Sequence, residues 1–169
     1  MRRVYVILLI VLFCSSCVSQ DEQSEQGMPA EKPDDFDFSL KYGMGLNMNE
    51  LNTYENTYTK DLIEDGTATT ELFLTEEEIA YIYEQFRQLG VKDLPHDRAT
   101  GKYITCMEPH STYVLKMTVA EEEFRLKWDT ACETPAKIAW EKFVNNLEST
   151  IIFVKEEYQQ LPEAKGGYE

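Results

Sequence analysis

The chain has 169 residues, with 31 acidic side chains against 16 basic ones and a formal net charge of −15. That balance argues against nucleic acid as a partner, because phosphates call for a basic footprint. It argues equally against electrostatic docking on anionic lipid headgroups.

The first residues have the layout of an export signal. Met1, Arg2 and Arg3 precede the apolar run Val4 to Phe13, which leads into Cys14, Ser15, Ser16 and Cys17. The run is far shorter than the roughly 20 residues that span a bilayer core, so it reads as a signal peptide over residues 1–16. Ser15, Ser16 and Cys17 fit the small-residue box that precedes a lipidated cysteine. Cys14 departs from the aliphatic residue usual at its position, which keeps ordinary cleavage near Ser16 or Ser19 open. The expectation is a lipoprotein anchored through Cys17 to the outer face of the cell membrane. Cleavage there removes the two positive charges of Arg2 and Arg3 and takes the net charge from −15 to −17.

Residues 17–35 are rich in Ser, Gln, Glu, Asp and Pro and nearly free of aliphatics, as expected of a lipidated cysteine followed by a flexible acidic tether. Asp34, Asp35 and Asp37 read as its solvated end and not as a calcium site, which needs six to eight oxygens. About 130 residues follow, enough for one domain with one core. The expected domain covers 36–162, with a tail over 163–169.

Within the domain, Phe36, Phe38, Leu40 and Tyr42 alternate with polar residues, as in a half-buried strand. The Thr- and Tyr-rich segment from Leu51 to Ile63 predicts a second strand, and Thr69 to Leu74 a third, after the Asp65-Gly66 turn. Thr75 with Glu78 forms a capping box for a helix that carries Ile79, Ile82, Phe86 and Leu89 on one face and closes at Gly90. Val91 to Pro109 is the longest loop. Tyr113 to Val119 and Phe124 to Trp128 predict a hairpin across an acidic turn. Thr134 and Pro135 open a last helix whose stripe runs through Trp140, Phe143, Leu147, Ile151, Val154, Tyr158 and Leu161. At 1.5 Å per residue that helix is expected to run about 40 Å. The order β-β-β-α-β-β-α predicts an α+β domain, an antiparallel sheet of about five strands with two helices on one face.

Cys106 and Cys132 lie just outside the ends of the predicted hairpin, in a chain expected to reach an oxidising compartment, and are disulfide candidates. Two isolated cysteines without nearby histidines make a poor zinc site. No EF-hand spacing, HExxH, P-loop or dinucleotide fingerprint is present, so neither metal nor cofactor is expected.

Chemistry has few candidates. His96 and Asp97 adjoin in the long loop and offer a weak hydrolytic pair, set against a solvated loop histidine; His110 is the other histidine. Tyr54, Tyr58 and Lys60 would form a binding platform if they share the open face of the sheet, and otherwise cover its edge.

Phe36-Asp37-Phe38-Ser39-Leu40-Lys41-Tyr42-Gly43, Asn52-Thr53-Tyr54, Tyr58-Thr59-Lys60-Asp61 and the terminal Leu161-Pro162-Glu163-Ala164-Lys165-Gly166-Gly167-Tyr168 resemble a family of small uncharacterised lipoproteins of Bacillus-type Gram-positive bacteria. The resemblance covers the first hairpin and the domain ends. It implies a cell-surface lipoprotein and carries over no activity or functional residue. The expected function is a non-enzymatic module binding an envelope protein or wall component, through the sheet face or the Val91 to Pro109 loop. The alternatives are a surface hydrolase built on His96 and Asp97, and a carrier of a small ligand.

Overall fold

A computed structural model describes residues 27–100 and 106–168. In it the alternation of Phe38, Leu40 and Tyr42 with Ser39 and Lys41 builds β1 (Asp37–Gly43) inside a six-stranded antiparallel sheet. On one side stand β2 (Asn49–Asn52), β3 (Thr57–Asp61) and β4 (Thr67–Glu71); on the other stand β5 (Thr112–Val119) and β6 (Glu122–Asp129). The order is β4-β3-β2-β1-β5-β6. Phe38 faces Met117, Leu40 faces Leu115 and Leu51, and Tyr113 faces Trp128, so the apolar set of every inner strand falls on one face.

Helices α1 (Glu76–Gln88) and α2 (Pro135–Leu147) cover that face. The Phe86 ring of α1 packs between Phe38 of the sheet and Trp140 of α2, at centroid distances of 5.3 and 5.5 Å. The α1 ends are set locally. The Thr75 and Glu78 capping box forms, and Gly90 adopts φ +59° while the Val91 N–H reaches Phe86 O and the Gly90 N–H reaches Arg87 O. That pairing satisfies the last carbonyls and needs a left-handed residue at Gly90. The architecture is α+β, with helices on one face of an antiparallel sheet, as the pattern predicts.

Two elements differ from expectation. The segment Leu51 to Ile63 is a tight hairpin between β2 and β3, which gives six strands and not five. Asn56 turns the chain there at φ 52°, a conformation that a short amide side chain tolerates. The final helix is not continuous. After Leu147 the backbone widens into a π-helical turn (Glu148–Ile152), breaks at Phe153 to Lys155, and resumes as a short α3 (Glu156–Gln159). The Ser149 hydroxyl donates back to Asn145 O and that of Thr150 to Asn146 O. The wide turn buries Ile151 and Ile152 together, leaving Val154 of the expected stripe 60% exposed. Lys155 pairs with Glu78 at 2.9 Å and ties the break to the start of α1.

The domain also extends beyond its expected limits. Met28 packs against the core, the Tyr83 hydroxyl donates to Pro29 O at 2.7 Å, and the Asp35 carboxylate accepts the N–H groups of Ala120 and Glu121, the β5–β6 turn. At the other end Lys165 pairs in parallel with Ile63, and the Tyr168 hydroxyl donates to Asp61. Cys14, Cys17 and the rest of the expected signal lie outside the described residues. No helix among the described residues is long and apolar enough to cross a membrane.

Candidate functional site

The sheet does not assemble the platform expected of Tyr54, Tyr58 and Lys60. Tyr58 and Lys60 occupy alternate positions of β3 on the helix-covered face, where Tyr58 is 1% and Lys60 8% exposed. The Tyr58 hydroxyl lies 3.1 Å from that of Tyr42, and its ring meets Tyr158 edge-on at 5.5 Å. Lys60 lays its ammonium 5.0 Å above the Tyr158 ring and 3.7 Å from Glu163. Both residues are core, because β3 is the strand that the α3 segment covers. Tyr54 stands in the β2–β3 turn and leans across the opposite, open face, with its hydroxyl 2.8 Å from that of Thr118 and Lys116 Nζ 4.5 Å over its ring. That face is polar and its charges are mostly neutralised, with Lys41 on Glu50 at 3.2 Å and both Lys116 and Arg125 on Glu123 at 3.2 and 2.7 Å.

His96 and Asp97 do not form a pair. The turn Leu94–His96 leaves the imidazole exposed, while the Asp97 carboxylate accepts the Thr134 hydroxyl. Thr134 in turn accepts the Lys137 N–H at 3.2 Å and caps α2, so Asp97 supports a helix start. His110 lies apart, with Nδ1 2.9 Å from the Glu108 carboxylate. Among the described residues no cluster of three or more His, Cys, Asp or Glu is placed to hold a metal ion.

The long loop does build a cleft. Cys106 and Cys132, the disulfide candidates, are joined in a disulfide, and Cys106 also bridges Cys132 through the backbone, a direct opposition that their placement outside the hairpin does not by itself imply. The bridge, the Pro95 to Ala99 segment, the end of β6 and the first turn of α2 enclose a volume of about 640 Å³, within the range of small-molecule sites. Arg98, Lys127 and Lys137 line it, together with Trp128. Lys137 is 8% exposed, and none of the three cations makes a salt bridge within the described residues. The carboxylates beside them are committed elsewhere, Asp97 to Thr134 and Asp129 to the Ala131 N–H at 3.1 Å. The Trp128 indole N–H has no acceptor among the described residues.

Sequence reasoning missed these cations. One signal was available: Lys137 stands three residues before Trp140 on the buried side of α2, a charge inside an apolar stripe. Arg98 and Lys127 carried none, since they come from a loop and an edge strand.

Compared with protein-family profiles, with curated proteins and with solved structures, the chain shows no significant match, so its own geometry carries the functional reading.

Proposed function

We propose that the chain is a non-enzymatic binding module, lipid-anchored through Cys17 at the outer face of the cell membrane, and that it takes its ligand in the cleft beside the Cys106–Cys132 disulfide. The observation that carries this reading is Lys137, a lysine 8% exposed that pairs with no carboxylate among the described residues, in the wall of a cleft of about 640 Å³ that Arg98 and Lys127 also line. Three cations gathered on one cleft without an ion pair among the described residues favour recognition over structural filler. The anchor is supported by Arg2, Arg3, the apolar run Val4 to Phe13 and the Ser15-Ser16-Cys17 box. The family resemblance of the first hairpin and the chain end points to the same compartment.

The test has two parts. Cells fed a palmitate analogue should label the wild-type chain, whereas Cys17→Ala should lose the label and appear in the medium; membrane retention of unlabelled Cys17→Ala would overturn the anchor. A photo-crosslinking residue at Ala99 should yield a discrete adduct in intact cells that disappears in Lys137→Met. An adduct pattern unchanged by Lys137→Met would remove the cleft as the binding site.

A further inference from the structure

We infer that the cleft binds a small oxyanionic ligand, carrying a carboxylate or a phosphate, which Lys137, Lys127 and Arg98 hold beside Trp128. The inference rests on the binding-module reading and specifies its ligand class. In a chain of net charge −15 most cations should find carboxylates, and seven of the ten described outside the cleft do, in ion pairs of 2.7 to 3.7 Å. The three that line the cleft make none among the described residues, although Asp97 and Asp129 stand among them. Those two carboxylates are turned to a helix cap and a turn N–H and pair with none of the three cations, so among the described residues the lining keeps three positive charges against two negative.

Burial gives that charge a direction. Lys137 is 8% exposed as a residue, so its aliphatic stem is packed into the cleft wall, while its ammonium keeps solvent contact and has no carboxylate against it among the described residues. Arg98 and Lys127 are exposed at the same cleft and can close on a ligand from the solvent side. A guanidinium grips a planar or tetrahedral oxyanion with two parallel N–H donors, while the two ammonium groups add point charges. Trp128, with Pro95, Ala99 and Ala131, offers apolar surface to the body of the ligand.

Size follows from the same charge balance. A polyanion running out of the cleft would meet exposed Glu133 and the acidic surface beyond, whereas a ligand contained in about 640 Å³ meets three cations against the two carboxylates Asp97 and Asp129.

The experiment is calorimetric titration of the full-length chain in neutral detergent with sn-glycerol 3-phosphate, with N-acetylmuramic acid as the carboxylate probe, and with uncharged N-acetylglucosamine. At least one anionic probe should bind at least tenfold more tightly than the uncharged sugar. Lys137→Met, which keeps the side-chain volume, should weaken that probe tenfold or more, and the exposed double variant Arg98→Ala/Lys127→Ala should do so by a comparable factor without touching the core. Tighter binding of the phosphate probe assigns a phosphate ligand, and tighter binding of the muramic acid a carboxylate. If the uncharged sugar binds as well as the anions, or the cation variants bind as tightly as wild type, the oxyanion assignment fails while the cleft stands as a binding site. Absence of binding by every probe, with the Ala99 adduct still lost in Lys137→Met, overturns the small-anion class and leaves a macromolecular ligand. Absence of both overturns the cleft itself.

Discussion

The hydroxyl of Thr134 donates to the Asp97 carboxylate and its oxygen accepts the backbone N–H of Lys137, so one side chain links the long loop to the first turn of α2. The loop and the buried lysine of the cleft are thereby held to each other through a helix cap. Thr134→Ala is expected to cost about 1 kcal/mol, the usual worth of such a cap. Urea denaturation should show a lower midpoint with an unchanged slope. A variant as stable as wild type would mean that the cap carries no net stability.

The disulfide closes a loop with a sequence separation of 26 residues. On the chain-entropy estimate a loop of that length stabilises by about 3.5 kcal/mol. Cys106→Ser/Cys132→Ser should lower stability by roughly that amount, as should reduction of the wild type, and both should also loosen the cleft, whose wall the bridge forms. Superimposable denaturation curves for oxidised and reduced protein would contradict this.

Tyr58 and Tyr54 should part company under substitution. Tyr58 sits in the core against Tyr42 and Tyr158, so Tyr58→Ala is expected to destabilise by about 3 kcal/mol or more. Tyr54 touches Thr118 and Lys116 on the open face, and Tyr54→Ala should cost about 1 kcal/mol or less. Thermal melting of the two variants side by side checks the ordering, and a larger loss at Tyr54 would reverse the assignment of the two sheet faces.

Burial raises the Tyr42, Tyr58 and Tyr113 hydroxyls above the ordinary tyrosine value of 10. The folded chain therefore holds protons that the unfolded chain gives up, and stability should fall as pH rises beyond about 10. Spectrophotometric titration at 295 nm should show these tyrosines ionising only with global unfolding. The Tyr168 phenol, pushed up to about 12 by its bond to Asp61, belongs to the same alkaline window.

Burial likewise raises the Glu148 carboxyl, at the start of the π-helical turn, above its ordinary value of 4.5. Its contribution is fully present below that value and is lost as pH climbs through the raised one. Glu148→Gln should remove this loss and stabilise the protein at neutral pH relative to wild type. Equal stability of the two at pH 7, measured by urea denaturation, would show the carboxylate to be fully solvated.

Much of the fold was legible because its signals are local. The alternation from Tyr113 to Val119, the Thr75 and Glu78 capping box, and Thr134 with Pro135 each lie within one element, and each forms as read. The run from Leu51 to Ile63 was misleading because its strand-favouring Thr and Tyr residues are continuous across the turn, and Asn56 alone marks the reversal. The last helix misled for another reason. Its threes-and-fours stripe fits an ideal helix, yet burying both Ile151 and Ile152 over the sheet requires a wider turn, which depends on what lies beneath it.

The sequence by itself determined the acidity, the export-type leader as an expectation, the α+β order of elements and two cysteines as candidates for a bridge, since each depends on composition or on neighbours along the chain. Only the tertiary structure decided which tyrosines are core, that Asp97 serves a helix cap, and that Arg98, Lys127 and Lys137 meet in one cleft. Those residues come from a loop, an edge strand and a helix, and their convergence depends on the path of the chain through space, which no spacing in the sequence records.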